Sequence, residues 1–89
     1  MRNRYYKTED EKVLIYICVD YSKMEFIIIT NPKKKYKIST EKGFIAKYSF
    51  TSAPYILDLI SVSKEVSKTI FKNALENQMF LQQKPLIRN

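Results

Sequence analysis

The sequence predicts an α+β domain: a four-stranded antiparallel meander followed by a long C-terminal amphipathic helix packed on one face of the sheet. Three observations lead there. Between residues 13 and 50, short apolar or alternating runs are separated by turn residues. Beyond residue 50 the apolar spacing changes from two to 3.6. At 89 residues, 45% of them hydrophobic, the chain is long enough for one core and too short for two.

Residues 1–11 carry Tyr5 and Tyr6 and then the acidic run Glu9, Asp10 and Glu11. They read as a flexible arm or an edge strand. Val13 to Val19, VLIYICV, is apolar throughout and rich in β-branched residues, the pattern of a strand covered on both faces. DYSK at 20–23 is turn chemistry, and MEFIIIT at 24–30 returns as the second strand of a hairpin, with Met24, Phe26 and Ile28 on one face. Asn31 and Pro32 suit the first two positions of a type I turn. KYKIS at 35–39 alternates, Tyr36 and Ile38 inward, Lys35 and Lys37 outward. TEKG follows as a turn on the only glycine, Gly43, expected to supply a positive φ. FIAKYSF at 44–50 alternates again, with Phe44, Ala46, Tyr48 and Phe50 opposed to Ile45, Lys47 and Ser49.

Thr51 or Ser52 is then expected to cap a helix with Pro54 in its first turn. Apolar residues recur at Ile56, Leu59, Ile60, Val66, Ile70, Phe71, Ala74, Leu75 and Met79, one stripe from about residue 55 to residue 80. Serines in SVSK, 61–64, interrupt it, so a break near 61–63 is open, with Ser61 or Ser63 capping the second half. Pro85 ends the helix and 82–89 form a tail. The domain is single and spans 1–89.

Composition excludes much chemistry. There is no histidine, so the usual neutral-pH general base is missing. One glycine allows no phosphate-cradling loop. The single cysteine, Cys18, sits in the apolar run and reads as a buried hydrophobe. Asp58 and Glu65, seven apart, read as solvated helix carboxylates, and Lys64, Lys68 and Lys72 as the wet ridge of that helix. No catalytic residue, metal or cofactor is expected. The polar N-terminus and the absence of an apolar run of membrane-spanning length point to a soluble, cytoplasmic protein.

The charge is +7 and uneven: residues 31–50 hold six lysines against Glu41, whereas residues 1–20 cancel. Eleven Ile and 13 Lys beside one Gly are also what AT-rich codons write, a competing source of lysine. One helix cannot cover both greasy faces of the first two strands. The sheet is therefore expected to pair with a second copy as a homodimer, or to expose apolar and aromatic surface to a partner. In strand order and size the outline resembles single-strand-binding modules of the Whirly and Pur-repeat kind, which implies dimers holding nucleic acid on a sheet face.

The function expected is that of a small basic, non-catalytic binding module for single-stranded or structured nucleic acid, gripped without sequence specificity. Its candidate contacts are Lys33, Lys34, Lys35, Lys37, Lys42 and Lys47 with Tyr16, Tyr21 and Tyr36. The alternative is a protein-interaction module, an adaptor or a small phage or mobile-element inhibitor, whose apolar strand faces meet an acidic host protein.

Overall fold

The computed structural model describes residues 2–33 and 43–83. Its elements run β1 (Arg4–Glu9), β2 (Val13–Asp20), β3 (Glu25–Pro32), β4 (Phe44–Ser49), α1 (Ile56–Ser61), β5 (Lys64–Val66) and α2 (Lys68–Gln83). The five strands form one antiparallel sheet in the order β4-β3-β2-β1-β5. The α+β class and the meander hold, with a fifth strand added.

The N-terminal segment is neither arm nor edge. β1 lies between β2 and β5, with Tyr5 opposite both Cys18 and Val66. The strand expected at 35–39 and residues 40–42 of the turn after it lie outside the described residues; among those described, the meander runs β1 to β4. The β2–β3 hairpin is as expected, closed by the Asp20 carboxylate. Its Oδ1 accepts from the Ser22 amide at 3.1 Å, the Ser22 hydroxyl at 2.8 Å and the Lys23 amide at 3.2 Å. Met24 does not join the strand: it takes φ 54° in the turn and stays exposed. Asn31 and Pro32 continue β3 rather than turning, opposite Leu14 and Val13.

Gly43 has no positive φ. A Cβ there would collide with the Thr30 carbonyl and the Gln78 side chain, so the residue serves close approach of strand and helix.

The single long helix is corrected to two helices on opposite faces, because the break at the serines is complete. Ser61 Oγ donates to the Asp58 carbonyl at 2.6 Å and Ser63 Oγ to the Leu59 carbonyl at 2.7 Å. The Val62 and Ser63 amides bond three residues back. These bonds close the end of α1 and release the chain. Lys64–Val66 then pairs with β1, and Ser67, not Ser61 or Ser63, caps α2, its hydroxyl accepting from the Ile70 amide at 3.3 Å. At the start of α1 no side chain caps: Tyr55 is the N-cap, and Ser52 instead bonds back to Ser49.

One face of the sheet packs Ile17, Val19, Phe26 and Ile28 against Ile56 of α1, with Tyr6, Tyr48, Phe50, Leu59 and Ile60 around them. The other packs Tyr16, Cys18 and Ile29 against Phe71 and Ala74 of α2, flanked by Tyr5, Ile27 and Ile45. Ile17, Ile29 and Ile56 are fully buried; each such side chain contributes about 1.5–3 kcal/mol of transfer free energy. Among the described residues each face has its own helix, so neither is left bare in the way the expected homodimer and aromatic platform presuppose. No helix among the described residues is long and apolar enough to cross a membrane.

Candidate anion-binding edge

The residues singled out from sequence do not converge. Lys34, Lys35, Tyr36, Lys37 and Lys42 lie outside the described residues. Tyr16 is 8% exposed beneath α2, and burial raises the pKa of its phenol; it offers no stacking surface. Tyr21 packs on the opposite face, edge-on to Phe50 at 6.2 Å. Lys47 is exposed on β4, at the far edge of the sheet from β5. Lys33 follows β3, where its Nζ meets Glu9 Oε2 at 3.1 Å.

Another cluster emerges where β1 and β5 pair. Lys7 stands directly opposite Lys64 in the register, so both side chains leave on the same face. Lys7 Nζ lies 5.9 Å from the centroid of the Tyr16 ring, which fixes that face as the α2 side. Two grooves run along this edge and share Glu65 and Val66. One, of about 560 Å³, is lined by Arg2, Arg4 and Lys68; the other, of about 730 Å³, by Lys7, Lys64 and Glu9.

The two carboxylates here are engaged. Arg4 donates from Nε and Nη2 to Glu65 at 3.2 and 3.3 Å, a two-pronged contact that holds the guanidinium charged. Glu9 holds Lys33. Arg2, Lys7, Lys64 and Lys68 have no carboxylate within ion-pair distance among the described residues. Like charges directly opposite across a strand pair are destabilising, and an anion between them relieves that repulsion.

Sequence reasoning missed this edge for an identifiable reason. By spacing alone Lys64 and Lys68 form one helical ridge with Lys72, and Glu65 is a helix carboxylate. The unforeseen strand β5 moves Lys64 and Glu65 onto the sheet, beside the basic groups of the N-terminal segment.

Cys18 is buried and its pKa is pushed up to about 11, by burial first and then by Asp20 and Glu25. No group of three or more His, Cys, Asp or Glu side chains able to hold a metal ion occurs among the described residues. No family model, curated protein or solved structure matches the chain.

Proposed function

We propose that this chain is a small non-catalytic module that binds a polyanion, single-stranded or structured nucleic acid, through its phosphates along the β1–β5 edge. The observation that carries the reading is the cross-strand Lys7–Lys64 pair, flanked by Arg2 and Lys68, where the nearby carboxylates are already engaged. The lysines of 33–42 add charge elsewhere on the chain and fit the same kind of partner. With Tyr16 covered, the grip is one of charge rather than stacking. Lysine point charges tolerate any sequence, and the fork of a free arginine is represented at this edge by Arg2 alone.

The test is fluorescence anisotropy with a labelled oligothymidylate and a duplex of equal length over a salt series. Four phosphate contacts give a log–log salt slope of roughly −3 to −4, steeper for duplex than for single strand. Joint Lys64→Glu and Lys68→Glu changes, both at exposed positions, lower the slope by about two. Tyr16→Phe leaves affinity unchanged. Salt-insensitive binding, or full affinity in the double variant, refutes the assignment of this edge.

A further inference from the structure

We propose that Arg4 is a phosphate ligand held in reserve by Glu65, and that the group which takes it over is the terminal phosphate of a nucleic-acid strand. The inference rests on the phosphate reading of this edge and adds to it a ligand residue, its competitor and the part of the strand preferred.

The Arg4–Glu65 contact is loose. Its two prongs, at 3.2 and 3.3 Å, are longer than the roughly 2.7–2.9 Å of tight charge-assisted bonds. Both side chains are about half exposed, and ion pairs so wetted contribute little to stability. Nor does β5 depend on the pair. The backbone already joins Tyr5, Tyr6 and Lys7 to Val66, Glu65 and Lys64, and Arg4 reaches Glu65 diagonally from outside that register.

The guanidinium is nonetheless well aimed. Asn3 Oδ1 accepts from the Tyr21 amide at 3.3 Å and ties down the chain between Arg2 and Arg4. A carboxylate gripped by Nε and Nη2 marks where the fork receives an oxyanion, and the same fork takes a phosphate in the same two-pronged way. Glu65 therefore stands where a phosphate would.

Charge decides which phosphate displaces it. A diester phosphate carries one negative charge, as the carboxylate does. Exchanging the two gains Arg4 nothing and leaves Glu65 unpaired beside a like charge. A terminal phosphomonoester carries about −1.5 to −2 at pH 7 and three strong acceptor oxygens. The groove is lined by three cations, Arg2, Arg4 and Lys68, against one carboxylate, Glu65, a net +2 that a single dianion matches. Arg2 and Lys68, with no carboxylate at ion-pair distance among the described residues, remain for its other oxygens. Along β1 Arg4 precedes Lys7 by three residues, about 10 Å, so a strand lying on Lys7 and Lys64 can deliver its end to this groove.

The test is fluorescence anisotropy of the full chain with internally labelled oligothymidylates that carry a phosphate at the 5′ end, at the 3′ end or at neither. At least one phosphorylated end tightens binding roughly fivefold or more. Arg4→Gln removes most of that preference, and so does Arg4→Lys, which keeps the charge and loses the fork. Glu65→Gln frees the fork for a diester, so the unphosphorylated strand gains affinity and its salt slope steepens by about 0.7. Combining Arg4→Gln with Glu65→Gln abolishes the gain, whereas the mere loss of a negative charge would act without Arg4. Equal affinity for all three probes, or a gain from Glu65→Gln that survives Arg4→Gln, overturns the proposal and leaves the Lys7–Lys64 reading standing. Failure of every probe to bind overturns both. Inorganic phosphate that shifts the Arg4 Nε–H resonance with the affinity of the phosphorylated strand assigns the groove to free phosphate, which also overturns the proposal.

Discussion

The side chain of Gln78 fills the space that a Cβ on Gly43 would need, and the Thr30 carbonyl closes it from the other side. Gln78 is 2% exposed, so it has nowhere to retreat. Gly43→Ala is therefore expected to destabilise the fold by about 1–3 kcal/mol through overpacking. Adding Gln78→Ala restores only part of the loss, because the backbone carbonyl remains. Urea unfolding of the two variants and the parent checks this; a neutral Gly43→Ala would mean that strand and helix are not in contact there.

The start of α2 depends on Ser67. Its hydroxyl accepts from the Ile70 amide and its carbonyl from Phe71. Ser67→Ala should cost about 1 kcal/mol and Ser67→Asp should keep most of the stability. Equilibrium denaturation followed by far-UV circular dichroism distinguishes them. A Ser67→Ala variant as stable as the parent would remove Ser67 from this role.

Asp20 sets an acid limb of stability. Its carboxyl is held below the ordinary range, first by the Ser22 hydroxyl and then, against some loss of hydration, by the Lys23 and Ser22 amides. A depressed folded pKa means the unfolded chain binds the proton more readily. The stabilisation is therefore complete above the unfolded value, about 4, and disappears as pH falls through the lower folded value. Asp20→Asn should lower the thermal midpoint at neutral pH and flatten its decline below about pH 4. An unchanged acid limb would remove Asp20 from this role.

Cys18 should be silent toward thiol reagents in the folded protein. It is buried, and a pKa of about 11 leaves little thiolate near neutrality. Ellman's reagent at about pH 8 is expected to react on the timescale of unfolding, and quickly only in denaturant. Rapid labelling of the native chain would show that α2 opens readily from its face of the sheet.

Much of the sheet was legible because strands β2, β3 and β4 are written locally. The alternation of Phe44, Ala46 and Tyr48 against Ile45 and Lys47 survives unchanged, as does the hairpin at Asp20–Lys23. The site was far less legible. Tyr16 and Lys7 are neighbours across β1–β2, and Lys7 and Lys64 across β1–β5, at separations no local pattern encodes. An RYYKTE segment with charges at both ends resembles an arm until strands flank it on either side.

What the residues determined by themselves is an α+β chain with two-sided apolar strands, a basic excess and no histidine chemistry. Period and turn residues suffice for that, since both act within a few positions. The tertiary structure alone decided which faces are sealed. A 3.6-residue stripe continuing from Ile56 to Met79 has the same appearance for one helix as for two in similar phase. Only the path of the chain through Ser61–Ser67, with β5 stitched to β1, sends α1 and α2 to opposite faces of the sheet. That path buries Tyr16 and sets two lysines face to face, because side chains distant in sequence meet only after the backbone has paired.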